Sequence, residues 1–175
     1  DQRSKGAIEA GKMGALAVIV RSMTTALDAH PHTGAMNYVD TIPKIPAVAI
    51  STIGAETLSR LLKKESSFKV RIKLDCETLP DVESANVVGE LRGSVLPNEI
   101  VVIGGHLDSW DKGQGAHDDG AGVVQCLEAI RLLKEQGLRP KRTIRVVLFM
   151  NEENGLRGGK AYAKMERPNE KHIAA

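Results

Sequence analysis

Three short polar clusters carry the residues of this chain that could do chemistry. His106 and Asp108 lie in GGHLDSWD, Asp118 and Asp119 in GAHDDGAG, and Glu152 and Glu153 in NEENG. One imidazole with several carboxylates makes a donor set suited to zinc. A carboxylate has two oxygens, so one aspartate can bridge two cations held ~3.5–4 Å apart, and such a pair acidifies a shared water and polarises a carbonyl. Hydrolysis by that route also needs a carboxylate that is not a ligand, to take the proton of the water and hand it to the leaving amine. Glu152 or Glu153 could do this while the other binds metal; spacing alone does not decide between them. A ligating histidine usually donates its second N–H to a carboxylate, and Asp108 is near enough in sequence to be that partner.

Taken singly, each cluster has an ordinary explanation. A histidine after a strand is commonly structural, Asp118–Asp119 could cap the helix that follows them, and Glu152–Glu153 could be a solvated loop pair. Their positions argue otherwise. Ile100–Ile103 is continuously apolar, as expected of a strand covered on both faces, and His106 and Asp108 follow it. Residues 143–150, TIRVVLFM, form another strand, followed by Glu152 and Glu153. Asp118 and Asp119 precede a helical pattern over 119–136, with Val123, Val124, Leu127, Ile130 and Leu133 at spacings of three and four and Gly137 as its C-cap. Sites in open α/β sheets form beyond the carboxyl ends of strands, so all three clusters can converge on one edge.

The other elements set the frame. NVVGELRG is a candidate strand, followed by a Pro97–Asn98 turn, and LRGGKAYAKM a candidate helix; strand, helix, strand, helix is the pattern of a parallel or mixed α/β sheet. Upstream, a helix over the first residues leads into ALAVIV at 15–20, a buried strand. A polar loop from Ser22 to Lys44 precedes the strand PAVAI at 46–50. Ser51 or Thr52 then caps a helix with Leu58, Leu61 and Leu62 on one side. FKVRIKLD at 68–75 alternates apolar and polar residues, which predicts a half-buried strand. The texture changes in ETLPDVESA, placing a boundary near 76–82.

Composition narrows the function. Of the 175 residues, 42% are hydrophobic and 26% charged, the balance of a globular chain. No apolar run approaches the ~20 residues needed to span a bilayer. A net charge of +2 and 3% aromatics argue against a nucleic-acid partner. Neither a GxGxxG nor a P-loop motif occurs. Cys76 and Cys126 fit no zinc-finger spacing and read as two buried thiols. The first residue is Asp1, no signal-like stretch opens the chain, and KHIAA reads as the approach to another strand, so both ends read as cuts in a longer protein.

HLDS, GAHDDGAG and NEENGLRG together resemble the co-catalytic dizinc exopeptidases of the leucyl aminopeptidase and glutamate carboxypeptidase type. GGHLDSWDKGQGAHDDGAG and QGLRPKRTIRVVL resemble the carboxypeptidase Q subgroup and its bacterial relatives in particular. The resemblance covers nearly the whole chain. It implies an α/β fold, part of a zinc-peptidase mixed sheet with flanking helices (77–175), preceded by part of a protease-associated (PA) domain (1–76). It implies two zinc ions per complete site, with His106 on one, Glu153 on the other and Asp118 bridging them. Glu152 would be the general base and Asp108 the orienting carboxylate, and the bond from Asp118 to Asp119 would be cis. A peptide or dipeptide is the implied substrate, in an exported (extracellular, periplasmic or lysosome-like) protein for which a homodimer is allowed.

The family needs a further Asp ligand and a distant His ligand. After Glu153 the chain offers no Asp and only His172, which reads as a surface residue, and His117 falls at a variable position. The 175 residues are therefore expected to be an incomplete, inactive piece of the parent enzyme. Two alternatives stand beside this reading: a related metal-dependent amidohydrolase, and a non-catalytic receptor-like domain of the same fold.

Overall fold

The computed structural model describes residues 1–32 and 34–175, and divides them into two compact units, Asp1–Leu79 and Pro80–Ala175. Thr33, within the polar loop expected over 22–44, lies outside the described residues. Among the described residues no helix is long and apolar enough to cross a membrane.

In the first unit, helix α1 (Gln2–Lys12) is capped by Asp1, whose Oδ1 accepts the amides of Arg3 and Ser4, each at 2.9 Å. Strands β1 (Val18–Arg21) and β2 (Ala47–Ile50) pair in parallel, Val18 opposite Ala47 and Arg21 opposite Ile50. Ser51 caps helix α2 (Thr52–Lys64), its Oγ accepting Gly54 N–H at 3.0 Å. Two buried hydroxyls fasten the intervening loop. Ser22 Oγ donates to Ile50 O and accepts His32 N–H, while Thr52 Oγ1 accepts Asp28 N–H and donates to Asp28 O.

Several expectations fail here. FKVRIKLD is not a strand: residues 68–86 are irregular, and Val70 and Leu74 are about half exposed. Period-two alternation specifies which face would be buried but supplies no neighbouring strand, and an extended segment without a ladder partner is not a sheet strand. Cys76 is exposed and Cys126 only partly buried, so the thiols are not a buried pair; Cys76 falls in the irregular segment, where there is no core to receive it.

The second unit is a four-stranded mixed sheet in the order β3-β5-β4-β6: β3 (Val87–Leu91), β4 (Leu96–His106), β5 (Arg142–Phe149) and β6 (Lys171–Ala174). β3 runs antiparallel to β5, whereas β5 and β6 lie parallel to β4. Helices α3 (Ala121–Glu135) and α4 (Arg157–Lys164) flank the sheet, α3 against β4 and β5. Ile100, Val102 and Val147 form the core, with Phe149 and Tyr162 packed against it. Burial is concentrated on β5, an inner strand of the sheet, where Val146, Val147 and Leu148 are all buried.

Pro97 and Asn98 do not make the expected turn. They lie inside β4, at a register shift between Leu96 and Ile100. A proline cannot donate to a ladder, and a bulge is where a sheet tolerates that. The chain instead reverses around Gly93, where an added Cβ would sit 2.6–2.7 Å from the Lys141–Thr143 backbone. Helix α3 also departs from expectation, since Val124 and Leu127 turn outward, 60% and 48% exposed.

Arg145, buried in the middle of β5, carries a charge into this core and is fully engaged. Its guanidinium donates to Glu90 Oε1, to both oxygens of Glu170 and to the Tyr162 hydroxyl, linking β3, β5, α4 and the segment before β6. Such bidentate pairing offsets the desolvation of the buried cation.

Candidate metal centre

β4 and β5 run parallel with His106 opposite Phe149, so both strands release their chains at the same edge. His106 ends β4, and Glu152 and Glu153 follow β5 after Met150 and Asn151. Asp118 and Asp119 belong to a short π-type turn, Ala116–Gly120, that runs into α3 and keeps non-helical backbone angles at both aspartates. The Asp118–Asp119 bond is cis, as the resemblance implied.

His106, Asp118 and Glu153 each present one potential ligand atom, all within 4.8 Å of one another. His106 Nε2 stands 3.0 Å from Asp118 Oδ1 and 3.9 Å from Glu152 Oε2. The acids differ in access. The Asp118 and Glu152 side chains are 71% and 42% exposed, whereas those of His106 and Asp108 are only 12% and 16% exposed.

Asp108 acts in two directions. Its backbone carbonyl lies 2.8 Å from His106 Nδ1 and so accepts the imidazole N–H. Its carboxylate, 3.6 Å from that nitrogen, instead accepts the amides of Glu152 at 2.9 Å and Glu153 at 3.1 Å. The orienting contact expected from the Asp108 carboxylate is thus made by its carbonyl, and the carboxylate anchors the loop that carries the two glutamates.

Asn86 reinforces that loop, accepting Met150 N–H through Oδ1 and donating through Nδ2 to Gly158 O. Between those bracing points Asn151 and Leu156 hold φ of 64° and 59°. Asparagine tolerates the left-handed region, whereas leucine there is strained. Sequence reasoning missed Asn86, because nothing in its local spacing connects it with residues 150 and 158. It also credited Asp119 only with helix capping. His117 is exposed, and His172, on the exposed strand β6, bonds to the Tyr162 hydroxyl at 3.0 Å, away from this cluster.

These residues fit a divalent cation on three grounds. With Nδ1–H committed to a carbonyl, the neutral imidazole presents its Nε2 lone pair to an Asp118 oxygen, and two acceptors face each other at 3.0 Å unless a proton or a cation lies between them. Glu153 Oε1 is buried with no hydrogen-bond partner among the described residues, and such orphaned acceptors ask for a missing partner. The donor set, one imidazole nitrogen with carboxylate oxygens, is one zinc accepts.

The charges agree with this. Burial draws the His106 imidazole down, but the Asp108 carbonyl and the carboxylates of Glu152, Asp118 and Asp119 together hold it above its ordinary value. Burial pushes Asp108 up, yet the Glu152 and Glu153 amides, its own amide and His106 keep it below the ordinary carboxylate range. Glu153 is raised by burial and by its neighbours Asp118, Glu152 and Asp108, only partly offset by His106.

A carboxyl raised in the folded state favours folding fully below its unfolded pKa and loses that contribution as pH rises through the folded value. In metal-free protein at neutral pH, the Glu153 charge therefore opposes folding. Glu153→Gln is expected to raise the metal-free melting temperature by ~2–5 °C at pH 7 and to make little difference at about pH 3, where the acid is largely protonated in both states. Thermal melts of the chelated protein at both pH values test this; a lower melting temperature at pH 7 would contradict it.

A cleft of about 400 Å³ in the first unit, lined by Ile19, Leu58 and Leu62 among others, holds none of these groups.

Comparison with known proteins places the chain among peptidases. The model of peptidase family M28 matches residues 86–175, about half of the chain. Carboxypeptidase Q of Homo sapiens is 44% identical over 167 residues, 95% of this chain and 35% of that protein. The crystal structure of a peptidase M28 precursor from Shewanella amazonensis superposes with a TM-score of 0.82 at 40% identity, covering 99% of this chain and 40% of that one. A zinc aminopeptidase from Bacillus subtilis does so with a TM-score of 0.61 at 26% identity, covering 94% and 37%. The chain thus spans about a third of the length of the curated relatives it matches.

Proposed function

The chain belongs to peptidase family M28, and from that premise we propose that the protein containing it is a zinc-dependent exopeptidase acting on dipeptides or short peptides. The observation that carries the reading is the gathering of His106, Asp118 and Glu153 from three separate segments to within 4.8 Å. His106 would hold one zinc, Glu153 a second, and Asp118 both. When bound, the metal pair supplies Lewis acidity, acidifying water and polarising the substrate carbonyl.

The chain's own residues do the rest. Asp108 fixes the tautomer of His106 through its carbonyl and the place of Glu152 and Glu153 through its carboxylate. Glu152, more exposed than the buried neighbours of His106 and with only its backbone tied, is the group free to take a proton on Oε and release it to a leaving amine. The further Asp and His ligands of a complete site would come from outside these 175 residues. On this reading the first unit is part of a PA domain, the parent protein is exported, and homodimerisation is open to measurement.

The test is zinc content and turnover on the full-length protein and on the isolated 175 residues. Free dipeptides and N-acylated amino acids serve as competing substrates. We expect zinc and dipeptide hydrolysis in the full-length protein, and weak zinc binding without turnover in the isolated chain. Cleavage of acylated amino acids alone would point to an amidohydrolase, absence of zinc and of any hydrolysis to a binding domain, and full activity of the isolated chain would refute its incompleteness.

A further inference from the structure

Resting on the reading of His106 and Asp118 as metal ligands, we infer that Asp119 is the positioning residue that sets their separation, and that Gly105 and Gly122 are there to admit its carboxylate. Both Asp119 oxygens are engaged. Oδ2 accepts the backbone N–H of His106 at 2.9 Å, and Oδ1 accepts that of Gly122 at 3.2 Å. The side chain thereby ties the last residue of β4 to the first turn of α3. Its own backbone carries Asp118, whose Oδ1 faces His106 Nε2 at 3.0 Å. One carboxylate grips the main chain of the imidazole donor while its main chain holds the other donor, so the backbone segments that carry the two ligands are tied to each other.

Asp119 directs its two oxygens at main-chain amides, and the group of side chains placed to hold a metal is His106, Asp118 and Glu153. Asp119 therefore acts on the centre through those residues. The surroundings are shaped to it. A methyl group built at Gly105 would collide with Asp119 Oδ2 and lie 3.1 Å from Val123 N. One built at Gly122 would collide with Oδ1 and lie 2.8 Å from Asp119 Cγ. Neither glycine needs a left-handed backbone, since neither is among the positive-φ glycines. Space for the carboxylate is therefore what these two positions require, and it accounts for one glycine of GGH and one of DDGAG.

Asp119→Asn tests this without a change in volume. The amide nitrogen it introduces must face either His106 N–H or Gly122 N–H, setting donor against donor. In the full-length protein, cobalt(II) titrated against a chelator should bind ~10–100-fold more weakly in this variant, with a changed visible spectrum. In the metal-free protein, hydrogen exchange at the His106 and Gly122 amides should speed up together. Gly105→Ala should do the same, and the double variant should be no worse than the poorer single, because both changes remove one interaction.

A role confined to stability would lower the melting temperature and leave cobalt affinity, spectrum and the paired exchange rates as in the wild type, and that result overturns the proposal. Additive losses in the double variant would overturn the part assigned to Gly105. Cobalt binding that Asp118→Ala leaves intact would count against the metal centre itself, while amide exchange in metal-free Asp119→Asn would still decide the role of Asp119.

Discussion

Glu152→Gln in the full-length protein is expected to lower turnover by about 10²–10⁴-fold while leaving zinc bound. A carboxamide has the shape of the carboxylate but cannot take up a proton at neutral pH, so the change removes proton transfer and little else. The anchoring of residue 152 survives, because Asp108 holds its backbone N–H and not its side chain. The proposed roles divide the two glutamates, which spacing left open. Glu153 shares the ligand cluster with His106 and Asp118 and keeps a buried oxygen without a partner; Glu152 points a 42% exposed carboxylate toward the same space. Turnover numbers with zinc content from the same samples check the prediction. Near-normal turnover would remove Glu152 from the role of base, and loss of zinc would exchange the two assignments.

Asp118→Ala should abolish both metal and activity. Asp118 contributes the oxygen nearest to His106 Nε2, and no other carboxylate in the cluster is placed to replace it, the Glu152 oxygen lying at 3.9 Å. Its side chain is 71% exposed, so truncation leaves little buried group unpaired. The metal-free variant should melt within ~0.5 kcal/mol of the chelated wild type, which separates loss of a ligand from loss of the fold. Retention of stoichiometric zinc would contradict the assignment.

The second unit of the chain was the more legible. The continuous apolar run at 100–103 announced a strand covered on both faces and TIRVVLFM a second strand, and they form β4 and β5. A sheet with the loops after those strands at one edge follows from the connection between them, so His106 and the two glutamates could be brought together on paper. FKVRIKLD misled because alternation encodes a face but not a neighbour, and no strand lies beside it. Pro97–Asn98 misled because a proline at a bulge and a proline in a turn look alike in one dimension.

What the sequence withheld at the centre was mostly backbone chemistry. The Asp108 carbonyl and carboxylate serve different partners, Asn86 reaches across to 150 and 158, and Asp119 grips the amide of His106. Each of these bonds joins residues far apart in the chain or uses main-chain atoms that every residue type possesses. Residue identity therefore carries no mark of them. The first unit was less legible for a related reason: its short strands and irregular tail leave many apolar side chains exposed, and periodicity cannot foretell which face stays open.

The central claim is that His106, Asp118 and Glu153 hold zinc together. Anomalous X-ray scattering at the zinc edge, from crystals of the full-length protein loaded with zinc, addresses it most directly. The account predicts anomalous peaks within ~2.0–2.2 Å of His106 Nε2 and of oxygens of Asp118 and Glu153, with Asp118 touching two of them. Zinc bound elsewhere, with these three side chains uncoordinated, would contradict it.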